Sequence, residues 1–191
     1  MKLLKEYIRH SGRVIGNDIL KVDSFLNHQM DIGLFQEIGQ EFKKRFSENK
    51  ITKILTIEAS GIGIACITAQ YFDNVKVVFA KKNSARNLNS EVYESQVFSY
   101  TKDTHYNIKV DKNYLCPADK VLIIDDFLAN GNAVLGLLDI TKQAKSQVAG
   151  VGIVIEKSFQ NGRDSILDKN VRLESLARVK SLAGGTISFV D

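Results

Sequence analysis

Two adjacent carboxylates at the end of an apolar run are the side chains best placed to do chemistry in this sequence. Val121–Ala133 reads VLIIDDFLANGNA: four branched apolar residues predict a strand that ends at Asp125 and Asp126, and small residues then open a helix at Asn132. In an open parallel sheet, ligands bind beyond the carboxyl ends of the strands. Asp125 and Asp126 are therefore expected at the mouth of a cleft, where carboxylates accept hydrogen bonds from the vicinal hydroxyls of a sugar. The loop Ala129, Asn130, Gly131, Asn132, Ala133 is expected to turn its backbone N–H groups toward the same cleft, because the start of a helix leaves those donors unpaired and favours a phosphate. Carboxylates for hydroxyls beside a nest for a phosphate describe a ribose 5-phosphate site. The plainer alternative, an acidic pair that merely caps a helix after a buried strand, accounts for Asp-Asp alone but not for strand, pair and glycine-containing turn together.

The elements that must hold these residues follow from periodicity. Short Ile- and Val-rich runs at Thr52–Ile57, Val75–Ala80, Lys120–Asp125 and Val148–Lys157 predict strands buried on both faces, as in a parallel sheet. Helical patterns lie between them at Gly33–Glu48, Ile62–Tyr71 and Asn132–Lys145, so the fold class is α/β: an open, mainly parallel twisted sheet flanked by helices. The N-terminal MKLLKEYIRHSGRV predicts a short amphipathic helix ending at Gly12. VRLESLARV and TISFV predict two further strands separated by a turn at Gly184 and Gly185. The polar segment Lys82–Asn113 interrupts the alternation and predicts a long loop leading into a hairpin with a strand near Val97–Tyr100; loops of such length are often lids or binding loops.

At 191 residues, 44% hydrophobic and 25% charged, the chain fits a single globular domain, 1–191. A net charge of +4, spread along the chain, argues for small anionic ligands and against nucleic acid. No run approaches the roughly 18 apolar residues of a membrane span, and Lys2, Lys5 and Arg9 break the first apolar stretch, so a cytoplasmic location with no membrane partner is expected. Cys66 and Cys116 are expected to be reduced and structural, and His10, His28 and His105 have no metal-ligand spacing.

The motif IIDDFLANGNA resembles the ribose-phosphate-binding motif of the type I phosphoribosyltransferases. LKVDSFLNHQ, ITKILTIEASGI, VVFAKK and GIVIEKSFQNGRD are similar to the xanthine-using branch of that family, across nearly the full length. The resemblance implies their fold, with a small hood of N- and C-terminal segments (1–32 at the N-terminus) and a flexible catalytic loop at 82–105. It implies transfer of 5-phosphoribosyl from 5-phosphoribosyl 1-diphosphate to xanthine, with Mg2+ brought by the diphosphate substrate and no metal held by protein alone, and a homodimer. Asp125 and Asp126 are then the catalytic carboxylates. The turn after the first sheet strand, with Ala59, Ser60 and Gly61, and the lysines Lys81 and Lys82 are expected at the pyrophosphate. Leu20, Asn27, Lys157 and Phe159 are expected at the base, with Lys157 and Asn27 meeting the edges of an oxopurine and Leu20 and Phe159 sandwiching the ring. The usual Thr or Ser of the family motif is replaced by Asn130 and Ala133, a departure that the xanthine-using branch shares. Guanine or hypoxanthine as the base, and a non-catalytic nucleotide-sensing regulator of the same fold, stand as alternatives.

Overall fold

The computed structural model describes residues 1–82, 91–99 and 104–190. Six strands form the central sheet: β3 (Lys53–Ile57), β4 (Lys76–Ala80), β7 (Lys120–Leu128), β8 (Gln147–Lys157), β9 (Leu173–Ser181) and β10 (Ser188–Phe189). Their order is β10-β9-β8-β7-β3-β4, and all neighbours are parallel except the antiparallel pair β9 and β10. The parallel arrangement explains the continuous apolar runs, since helices cover both faces. One apolar core lies between the sheet and the helices α1 (Lys2–Ser11), α2 (Ile32–Arg45) and α3 (Ser60–Tyr71). The second lies between the sheet, α4 (Asn132–Gln143), α5 (Gly162–Leu167) and the hairpin of β5 (Val92–Ser99) with β6 (Thr104–Asp111).

Local chemistry explains where the elements start and stop. The Asp31 side chain accepts from the Leu34 N–H at 3.0 Å and caps α2, whose last turn carries Lys43, Lys44 and Arg45 against the negative end of the helix dipole. Leu34, Phe35, Ile38 and Phe42 recur at helical spacing and are buried. Elements from both ends of the sequence pack together beside the sheet. Residues 1–31 supply α1, the short antiparallel pair β1 (Arg13–Ile15) and β2 (Ile19–Lys21), and a single wide turn at Asp23–Asn27. Lys5 Nζ donates to the Val190 carbonyl at 3.0 Å, and Lys5 and Arg9 stand over the Phe189 ring, 5.3 and 4.9 Å from its centroid.

Three expectations are corrected. β7 does not end at the acidic pair: Phe127 and Leu128 pair with Ile155 and Glu156 of β8, so Asp125 and Asp126 lie inside a hydrogen-bonded strand. The polarity of the two aspartates hid this continuation. Much of the segment read as a long loop is the β5–β6 hairpin, anchored to the end of β4 by reciprocal backbone bonds between Lys81 and Lys109. Of the predicted catalytic loop, residues 83–90 and 100–103 lie outside the described residues. Cys66 and Cys116 are free but exposed: Cys66 falls off the buried stripe of α3, and Cys116 lies in the turn before β7, so neither packs in a core.

Candidate active site

Strand alternation sends the two carboxylates to opposite faces of β7. Leu122 and Ile124 pack on the α1–α3 side with Asp126 next in the series, while Val121 and Ile123 pack on the α4 side with Asp125. Asp126 accordingly meets the hood, accepting from Asn27 Nδ2 at 3.5 Å and from the Phe127 N–H at 3.0 Å. Asp125 accepts from the Asp126 N–H at 3.0 Å. Both are buried, 4% and 9% exposed. Burial first, and then the charge of Asp126, push the Asp125 carboxyl well above the usual carboxylate range. Burial and the Asp125 carboxylate raise the Tyr106 phenol in turn. Two carboxylates held dry side by side favour any ligand that supplies hydroxyl donors or positive charge.

Beyond Leu128 the chain turns sharply through Ala129 and Asn130. Gly131 takes a left-handed conformation, φ +86°, before α4 begins, a geometry that a side chain would strain. The first N–H groups of α4, from Asn132 onward, have no carbonyl partner within the helix and face a cleft of about 440 Å³. Asn132 Nδ2 donates to the Phe98 carbonyl at 3.1 Å, tying the loop to the hairpin. From the other side, the Gly162 N–H donates to the Ala129 carbonyl at 3.0 Å. The loop is thus braced at both ends while its amides stay available to an anion.

The cleft is lined by Ala129–Ala133, Tyr106, Phe127, Asp18, Ile19, Lys157 and Gln160. Lys157 enters the cleft from the end of β8. Its Nζ donates to the Asp18 carbonyl at 2.7 Å, and burial lowers its ammonium below the ordinary lysine value. Immediately before it, Glu156 is buried and clamped. Arg163 Nε donates to Oε1 and Oε2 at 2.9 and 3.1 Å, Arg163 Nη2 donates to Oε2 at 2.7 Å, Arg178 Nε donates to Oε1 at 2.9 Å, and the Ser158 and Ser175 hydroxyls donate at 2.6 and 2.5 Å. Burial alone would raise this carboxyl; the donors outweigh it and hold it at about 2.

The remaining expected site residues are placed as follows. Ala59, Ser60 and Gly61 form the start of α3 beside Asp125: a Cβ on Gly61 would lie 2.1 Å from Thr56 Oγ1 and 3.3 Å from Asp125 Oδ1. Lys81 and Lys82 diverge. Lys82 Nζ stands over the Tyr106 ring, 5.6 Å from its centroid, whereas Lys81 lines a separate cleft along β4. The Glu58 carboxylate accepts from the Lys82 N–H and fixes that corner. Leu20 is 6% exposed and packs in the hood core, Phe159 is 39% exposed, and Ile19 and Phe127 supply apolar walls of the cleft. Sequence reasoning missed Phe127, Tyr106, Gln160 and the Glu156–Arg163–Arg178 cluster. Phe127 was legible as the residue after the acidic pair; the others meet only through the fold. Among the described residues no group of three or more His, Cys, Asp or Glu could hold a metal ion, and no helix is long and apolar enough to cross a membrane.

Residues 27–182 match the family model described as Phosphoribosyl transferase domain. A protein of Clostridium novyi named xanthine phosphoribosyltransferase is 61% identical over 189 residues, covering 99% of either chain. One of that name from Ruminiclostridium cellulolyticum is 59% identical over 191 residues, covering both chains fully. Among solved structures, an adenine phosphoribosyltransferase of Trypanosoma brucei, in complex with AMP, pyrophosphate and ribose-5-phosphate, superposes with a TM-score of 0.76 at 16% identity, covering 92% of this chain and 79% of that one, a likeness of fold. With the parallel sheet, the acidic pair within β7 and the loop at the start of α4 in place, the chain belongs to the phosphoribosyltransferase family.

Proposed function

We propose that the protein transfers the 5-phosphoribosyl group of 5-phosphoribosyl 1-diphosphate to xanthine, forming xanthosine 5'-monophosphate and pyrophosphate. A purine ring nitrogen forms a bond to the anomeric carbon, the bond from that carbon to the diphosphate oxygen breaks with its electron pair, and the proton of the ring nitrogen is released. The observation that carries this reading is the convergence of the 129–133 loop and Lys157 on one cleft, beside the Asp125–Asp126 pair. The names of the full-length relatives support xanthine as the base.

The roles divide by chemistry. The amides of Ala129–Ala133 receive the 5-phosphate, and Asp125 and Asp126 accept from the ribose hydroxyls, which fixes the anomeric carbon in place. The turn at Ala59–Gly61, with Lys81 and Lys82, receives the departing diphosphate. A hard divalent cation fits this site in one way only: the acidic pair offers one or two carboxylates, and the phosphate and ribose oxygens of the donor complete its shell. Held there by Asp125 and Asp126 together with the donor, Mg2+ would supply counter-charge for the departing diphosphate. Asn27 and Lys157 meet the base, and Leu20 and Phe159 support that side of the hood. A single domain, 1–191, a homodimer and a cytoplasmic setting belong to the same reading.

The test offers xanthine, guanine, hypoxanthine and adenine separately with 5-phosphoribosyl 1-diphosphate and Mg2+, beside Asp125→Asn and Asp126→Asn. Preferential formation of xanthosine monophosphate, with both variants crippled, is expected. A preference for guanine would overturn the choice of base, and donor binding without turnover of any base would overturn the enzymatic reading.

A further inference from the structure

Gln160 lines the cleft three residues beyond Lys157, and its amide oxygen is buried with no hydrogen-bond partner among the described residues. Its backbone is not free to move away. The Gln160 N–H donates to the Lys157 carbonyl at 3.0 Å, and the turn is pinned at both ends by the Glu156–Arg163 pair, at 2.7 to 3.1 Å. A buried acceptor left unpaired is costly and rare in a folded protein. In a ligand cleft such an acceptor marks where a ligand brings a donor.

We propose that Gln160 is a specificity-determining residue that accepts a hydrogen bond from the N1–H of the purine, while the Lys157 ammonium donates to the neighbouring 6-oxygen. The inference rests on the substrate reading above. The chemistry of the pair is complementary to one purine edge: an oxopurine presents an acceptor at position 6 beside a donor at position 1. Adenine reverses both, placing an amino donor against the ammonium and a bare nitrogen lone pair against the Gln160 oxygen. Two buried mismatches reject adenine far more strongly than one, because each leaves a desolvated group unpaired. Neither residue achieves this alone, since an ammonium can rotate among acceptors, whereas the backbone that carries the Gln160 amide is fixed by two arginines and a buried carboxylate.

The experiment compares wild type, Gln160→Leu and Gln160→Glu with xanthine, 1-methylxanthine and 3-methylxanthine at saturating donor, with thermal unfolding measured alongside. Gln160→Leu is expected to lower kcat/KM for xanthine about 10- to 100-fold. The same variant should leave the KM for 5-phosphoribosyl 1-diphosphate within twofold and the melting temperature unchanged or raised, because an orphan acceptor has been removed. Wild type is expected to discriminate against 1-methylxanthine more than against 3-methylxanthine, and Gln160→Leu to lose that discrimination. Gln160→Glu, which keeps an acceptor, should retain more xanthine activity than Gln160→Leu. A wild type active on xanthine whose Gln160→Leu variant is equally active, or loses xanthine and 1-methylxanthine activity in the same proportion, would overturn this inference alone. A wild type inactive toward xanthine would overturn the substrate reading together with it.

Discussion

The Gly162 N–H and the Ala129 carbonyl, 3.0 Å apart, join the turn that carries Lys157 to the loop at the start of α4. Contact at Gly162 is tighter than that one bond. A Cβ there would fall 2.3 Å from the Ala129 oxygen and 3.0 Å from the Gly131 nitrogen, both backbone atoms. The Lys157–Gly162 turn and the 129–133 loop therefore share a wall with no slack in it.

Gly162→Ala is expected to displace the phosphate loop. Backbone cannot rotate aside as a side chain can, and small misplacements of a binding loop have large kinetic effects. The KM for 5-phosphoribosyl 1-diphosphate should rise at least about tenfold, and overpacking of about 1–3 kcal/mol should lower the melting temperature by several degrees. Steady-state kinetics with varied donor, paired with calorimetry, checks both; an unchanged donor KM would show that the loop tolerates the intrusion.

Asp125→Asn and Asp126→Asn should separate activity from stability. Each replaces a carboxylate proposed to accept from the sugar, and turnover is expected to fall about 10²-fold or more, the usual consequence of deleting one oriented group in a dry site. Asp125→Asn also relieves two desolvated like charges, so its melting temperature should equal or exceed that of wild type. Loss of stability alongside unimpaired turnover would reverse the assignment.

Glu156 gives a pH signature with a definite sign. Its carboxyl stands at about 2 in the folded chain against an ordinary 4.5, so between those values the unfolded chain binds the proton first. The contribution is complete above about pH 4.5 and is lost as pH falls toward 2. Glu156→Gln, which leaves Arg163 and Arg178 without their counter-charge, should be destabilised at pH 7 by about 1–3 kcal/mol. The gap between variant and wild type should then close on acidification. Urea unfolding of both proteins from pH 7 to pH 3 measures it, and a gap independent of pH would contradict the clamp as described.

Gly61→Ala should behave differently from Gly162→Ala, because the nearest atom to its new methyl is a side-chain hydroxyl, Thr56 Oγ1, at 2.1 Å. That hydroxyl is buried and has no hydrogen-bond partner among the described residues. Gly61→Ala alone is expected to cost about 1–3 kcal/mol, and Thr56→Ala in the same chain should restore part of the loss. Additive effects of the two substitutions in a thermal-unfolding cycle would mean that the residues do not compete for space.

What could be read in advance was whatever the chain encodes locally. β3, β4 and β8 announced themselves as apolar runs, and the observed boundaries differ from the expected ones by a residue or so. The acidic pair and the loop at Ala129–Ala133 were legible because a strand, two charges and a glycine turn are contiguous. Leu20 and Phe159 were placed against the base through resemblance alone; in the fold Leu20 is buried in the hood and Phe159 is partly exposed. Ser175 and Arg178 reach Glu156 only because β9 lies beside β8, a fact of strand order, and Arg163 completes the cluster from α5. Gln160 carried no signal at all, since an unpaired oxygen is visible only after every other partner has been assigned.

The shared wall at Gly162 bears on how such an enzyme can be re-engineered. Grafting a foreign Lys157–Gly162 turn to change base preference also exchanges one buttress of the loop proposed to grip the ribose phosphate. A library confined to that turn will therefore be dominated by members that have lost donor affinity, whatever their preference for the base. Holding Glu156, Gly162 and Arg163 constant while varying the residues between them keeps the two kinds of recognition separable.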